Sequence, residues 1–110
     1  MSWEEGMPSN LIPIKDVNEE EVQKAGRFAV EESNRNGSGH HFIYKRVVNR
    51  LLVSANLGPI NRIYIIVIEV IIDYDDMPWS YIAMVGFYRH PWTRVVLLSF
   101  EDVLKDFNKH

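Results

Sequence analysis

Residues 63–72 read IYIIVIEVII, and whether they form a strand or a membrane helix decides the fold of this chain. A membrane-spanning helix needs about 20 predominantly apolar residues; this run has ten, with Glu69 inside it. Eight of the ten are isoleucine or valine, whose branched side chains are stiff at χ1 and favour extended backbone. The stretch therefore reads as a buried strand. Its side chains alternate between faces: Tyr64, Ile66, Ile68, Val70 and Ile72 on one, Ile63, Ile65, Val67 and Ile71 on the other, with Glu69 the only polar member. A single covering layer protects one face, so the second is expected to leave an apolar patch.

Outward from this strand the same signals recur. HHFIYKRVVNRLLVSA (40–55), RIYIIVIEVIID (62–73), PWSYIAMVGFYRH (78–90) and TRVVLLSF (93–100) are rich in β-branched and aromatic residues, and their joints, NLGPIN, YDDMP and HPW, are short. Short joints imply antiparallel neighbours, because a parallel crossover needs a dozen or more residues. Upstream, Asn18 can cap a helix whose first turn carries Glu19, Glu20 and Glu21, with Glu21 placed to complete a capping-box-like pair. The helix is predicted from Glu19 to Asn34 or Arg35, burying Val22, Ala25, Gly26, Phe28 and Ala29, and exiting through Gly37 and Gly39. LIPI (11–14) is limited by Pro13 to an edge strand or strand start. The first ten residues have no periodicity and are expected to be mobile. EDVLKDFNKH (101–110) can form a final helical turn. The fold class that follows is α+β: one domain over 1–110, with a single helix packed on a four- to five-stranded antiparallel sheet.

Composition removes several classes of function. A formal charge of −3 lacks the basic face that nucleic acid or an anionic membrane would demand. The absence of cysteine excludes disulfides, thiolate metal sites and cysteine nucleophiles. The N-terminal MSWEEGMPSN has no apolar core of a signal peptide, and because the longest apolar run is too short for a membrane helix the chain reads as soluble. His40 and His41 are adjacent in an expected strand and would point to opposite faces, which prevents them from chelating one metal together. Asp73, Asp75 and Asp76 lack the Gly and distal Glu of a calcium loop and fit turn chemistry. Asn36-Gly37-Ser38 is a formal glycosylation sequon. No nucleophile elbow, phosphate loop or dinucleotide fingerprint occurs. The expectation is a protein that is not an enzyme and holds no cofactor or metal.

The helix carries more than amphipathicity. AGRFAVEESN (25–34) resembles the helix signature of the cystatins, plant cystatins above all, with Gly26, Arg27, Phe28, Ala29, Val30, Glu32 and Asn34 matching and Ala25 and Ser33 departing mildly. PIKDVNEEEVQ (13–23) is similar to the segment before that helix in plant members, and Pro91-Trp92 matches the family's second hairpin. The resemblance runs from about Leu11 to Phe100. It implies a helix gripped by a curved antiparallel sheet, and inhibition of papain-like cysteine proteases by a wedge. In that family the wedge consists of the N-terminal segment, the first hairpin loop and the Pro-Trp hairpin.

On this sequence the resemblance places the wedge at Ser9, Asn10 and Leu11, at LGPIN (Leu57, Gly58, Pro59, Ile60 and Asn61), and at Pro91 and Trp92. Leu57, Pro59 and Asn61 replace the three fixed positions of the family's Q-x-V-x-G loop, and Ser9 and Asn10 replace its paired glycines. A side chain where the family has Gly obstructs close backbone approach, and Leu offers none of the hydrogen bonds of Gln. Three functions stay open: a papain-like protease inhibitor of weakened or shifted specificity, a cystatin-fold module binding another target, or a self-associating structural protein. For the last, a stiff hairpin hinge at 57–61 would favour a homodimer by strand exchange.

Overall fold

A computed structural model of the chain describes residues 11–37, 39–73, 76–89 and 94–103. Ser9, Asn10, Pro91, Trp92 and most of the expected C-terminal turn lie outside them. Along the chain come β1 (Leu11–Ile14), α1 (Glu19–Arg35), β2 (Phe42–Leu57), β3 (Ile60–Ile72), β4 (Pro78–Tyr88) and β5 (Val95–Asp102). The strands form one sheet in the order β1-β2-β3-β4-β5, antiparallel throughout. One helix packed on a five-stranded antiparallel sheet is an α+β layout consistent with that of the cystatins. Among the described residues no helix is long and apolar enough to cross a membrane.

The helix starts where the sequence places it. Asn18 accepts from Glu20 N–H at 2.9 Å and from Glu21 N–H at 3.3 Å, satisfying donors that the first turn leaves open. Glu21 does not act as the return half of a capping box. Its carboxylate lies 3.0 Å from Arg62 and accepts from Tyr64 Oη at 3.4 Å, tying the start of α1 to β3. At the other end Asn34 clamps one residue twice: its Nδ2 donates to Phe42 O at 2.9 Å and its Oδ1 accepts from Phe42 N–H at 2.8 Å. Asn36 caps α1, and Gly37 and Gly39 follow at positive φ.

The core lies between α1 and one face of the sheet. Val22, Ala25 and Ala29 of the helix pack with Phe42, Leu52, Tyr64, Ile66, Ile68, Val70, Ala83, Val85 and Phe87, all buried. The small residues set how close the helix sits. A Cβ added to Gly26 would meet Val47 Cγ2 at 2.8 Å and Tyr44 Cε1 at 2.9 Å, distances that real contacts do not tolerate. Val47 is β-branched, and Tyr44 is fixed by a hydrogen bond to Gln23, so neither yields cheaply. In an open helix Gly→Ala gains about 1 kcal/mol; here overpacking costs about 1–3 kcal/mol. Gly26→Ala is therefore expected to lower the chemical-denaturation midpoint, and a raised midpoint would show that α1 can lift off β2.

The second face of β3 is less open than its composition implies. Val53, Ala55 and Ile63 form a separate buried cluster there, with Leu51, Ile60, Ile65 and Met84 packed against it. Ile60 supplies part of the cover, since its Cγ2 and Cδ1 lie within 3.3 Å of where a Cβ on Gly86 would stand. Further along, Glu69 is not an isolated charge: Arg46 Nε donates to its Oε1 at 2.6 Å. Ile65, Val67 and Ile71 remain half-exposed, so the expected patch exists in reduced form.

Boundaries shift in three places for identifiable reasons. Asp73 accepts from His41 N–H at 2.8 Å, which holds His40 and His41 in the connection before β2 rather than inside it. The β2–β3 joint shrinks to two residues because Leu57 and Ile60 pair with each other. Finally, β5 runs through Glu101 and Asp102, which pair with Ile82 and Tyr81, so the strand claims the start of the expected C-terminal turn.

Candidate functional site

The predicted wedge residues belong to three different segments, and strand pairing decides whether they meet. The first hairpin turn consists of Gly58 and Pro59 between paired Leu57 and Ile60. Gly58 has φ +63° and Pro59 a ring-fixed negative φ, the signature of a two-residue II′ turn that matches strand twist. Only glycine enters that conformation without steric cost. Gly58 and Pro59 are exposed at the tip.

Two hydrogen-bonded links bring neighbouring segments to this turn. Arg89 N–H donates to Pro59 O at 2.8 Å, fastening the end of β4 to the first hairpin. Tyr88 N–H donates to Arg94 O at 3.0 Å, closing the base of the second hairpin, whose Pro91 and Trp92 lie between. On the opposite flank Leu11 opposes Ala55, so β1 begins beside the last turn of β2 into the loop. The hairpin turn, the base of the second hairpin and the first described residue of the N-terminal segment thus share one end of the sheet. Arg89, not among the sequence candidates, belongs to this cluster, and no local pattern announces a backbone contact to a residue 30 positions earlier.

The apolar tip splits on closer inspection. Ile60 turns back onto the outer face of the sheet and is half-buried over Gly86, so its side chain serves the fold. Asn61 follows at a register shift between Ile60 and Arg62, and its Oδ1 is buried with no hydrogen-bond partner among the described residues. Such an orphaned acceptor costs about 1–3 kcal/mol. Behind the edge, Arg62 stacks over the Phe87 ring at 5.2 Å while pairing with Glu21. Burial, and then the Glu21 charge, push the Tyr64 hydroxyl above its usual range. This network ties the sheet behind the edge to the start of α1.

The described members of this edge are Leu11, Leu57, Gly58, Pro59, Ile60, Asn61, Tyr88, Arg89 and Arg94, and no group of three or more His, Cys, Asp or Glu side chains able to hold a metal occurs among the described residues. At its tip Gly58 and Pro59 are exposed, and the Arg89–Pro59 bond fastens that turn to the end of β4, so the edge forms one ridge. No family model matches the chain, and no curated protein or solved structure matches it either.

Proposed function

We propose that the chain inhibits papain-like cysteine proteases by seating this end of its sheet in the active-site cleft. The observation that carries the reading is the Arg89–Pro59 link, which fuses two of the three segments into one ridge. A preorganised ridge loses little conformational freedom on binding, and a tryptophan on the second hairpin supplies an anchor of large area. The resemblance of residues 25–34 to the cystatin helix supports the same reading. The departures at Leu57, Pro59 and Asn61 predict a weaker inhibitor than a Q-x-V-x-G loop would give.

The alternative is a binding module for a different protein target. The packing of Ile60 onto the outer sheet face and the buried Asn61 Oδ1 without a partner among the described residues favour it, since both adapt the loop away from the family's form. Titration of papain activity separates the two. The parent chain is expected to inhibit, and Leu57→Gln, Pro59→Val and Asn61→Gly together are expected to strengthen inhibition by about tenfold, the equivalent of about 1.4 kcal/mol. The triple change restores a hydrogen-bonding side chain and removes the orphaned acceptor. Monomer isolated by size is the material to test, because a homodimer formed by strand exchange through 57–61 would hide the ridge. Inhibition by neither protein would overturn the protease reading in favour of the binding module.

A further inference from the structure

Among the described residues β5 stands last in the sheet, with β4 on one side. The backbone groups along its other side are a template for one more strand. Val95, Leu97 and Phe100 pair with Phe87, Val85 and Ala83 and pack on the core beneath α1. Val96, Ser99 and Glu101 pair with Gly86, Met84 and Ile82 and belong to the outer face. Arg94 joins this outer set: its Cζ lies 4.8 Å from the centre of the Tyr88 ring, and Tyr88 follows the inward Phe87.

The alternation of β5 breaks once. A register shift between Met84 and Val85 leaves Leu98 as an extra residue between Leu97 and Ser99. Leu98 is 41% exposed, beside a cavity of about 290 Å3 that Ser33 and Asn36 of α1 line with Leu97, Leu98, Ser99 and Phe100. Such a bulge ordinarily discourages edge pairing. A regular strand laid along β5 matches its faces before Leu98 and falls out of step by one residue after it. A strand that carries the same extra residue at the same level stays in step throughout. A second β5, turned antiparallel, is such a strand.

We propose that two copies of this chain pair through β5, about a two-fold axis between Leu97 and Leu98. In this register Arg94 of each copy stands opposite Glu101 of the other, both on the outer face. Val95 opposes Phe100 on the helix side, Val96 opposes Ser99 outside, and Leu97 opposes Leu98 at the axis. A slip of one residue would set Val95 against Glu101, which lie on different faces. A slip of two would part Arg94 from Glu101 and lose an opposite-charge pair at each end. Face and charge thus select the same register, and the bulge selects a copy of this chain over a regular strand. The interface is isologous and leaves every strand in its own chain, unlike an exchange through 57–61. It does not depend on the protease reading.

Sedimentation equilibrium of the full chain from about 1 μM to about 1 mM is expected to show a reversible rise toward twice the mass of one chain. Arg94→Glu puts a carboxylate at both ends of β5, and Glu101→Arg puts a guanidinium at both ends. Like charges then face each other in either homodimer. Each variant alone should dimerise about tenfold more weakly than the parent. An equimolar mixture of the two should recover the parent's affinity, because both ends again pair opposite charges. Arg94 and Glu101 are exposed, so both variants should keep the parent's denaturation midpoint within the scatter of surface changes. A parent that stays monomeric over the whole range, whether its own residues cover the edge or none do, would overturn the proposal. So would a dimer indifferent to both charge variants, as a strand exchange through 57–61 would be, or a mixture that associates no better than its components.

Discussion

Replacing Phe42 by alanine is expected to lower the free energy of unfolding by about 3–5 kcal/mol, the usual range for a buried Phe. Phe42 is 3% exposed and joins three elements. Its ring is edge-on to Tyr81 of β4 at 5.1 Å and to Phe100 of β5 at 5.3 Å, while its backbone is held by Asn34 of α1. Alanine keeps the backbone clamp and empties the ring's place, so the neighbouring aromatics lose contacts that a partial collapse cannot restore. Because small domains carry only about 5–15 kcal/mol of stability, the melting temperature should fall by ten degrees or more, on the scale of about 4–8 °C per kcal/mol. Urea denaturation of the parent, Phe42→Leu and Phe42→Ala measures it. The leucine variant should lie between the other two. A cost below about 1 kcal/mol for alanine, within the scatter of surface substitutions, would mean that the aromatic cluster does not close this end of the core.

The second large effect is on binding. Trp92→Ala is expected to weaken inhibition of papain by about thirtyfold, corresponding to about 2 kcal/mol at a hot spot. The change in unfolding free energy should stay within about 0.5 kcal/mol, as for surface positions. The reasoning starts from the hairpin base: Tyr88 and Arg94 are bonded to each other, and Arg89 is bonded to Pro59, so the base of the second hairpin stands beside the first hairpin turn. A large aromatic in such a loop has more to gain from a partner than from its own chain. Inhibition constant and denaturation midpoint must be measured on the same preparations. A midpoint that falls by the same 2 kcal/mol would assign Trp92 to the fold, and an unchanged inhibition constant would remove it from the interface.

The identity and order of the elements were set by local sequence. Asn18 with three following glutamates starts α1, the small stripe Ala25, Gly26 and Ala29 marks its buried side, and alternation of β-branched residues marks the strands. These signals act over a few residues, through backbone sterics and the exposure of each neighbour, so they are present in the chain before it folds. The convergence of the hairpins at one end follows from short joints and antiparallel order for the same reason. Tertiary structure decided the partners. Glu21 finds Arg62 and Tyr64, Asp73 finds His40 and His41, and Pro59 finds Arg89, across 30 or more residues in every case. The apolar tip of LGPIN was ambiguous in sequence because a register shift of one residue sends a side chain to the other face. The shift at Ile60 to Arg62 sends Ile60 onto the outer sheet face over Gly86. Likewise Asp73, the β4 pair Trp79 and Tyr81, and Asp102 come from three separate stretches with no common motif, and only the pairing of β3, β4 and β5 gathers them around one cavity. Long-range register, which no local propensity encodes, is what separates the two kinds of result.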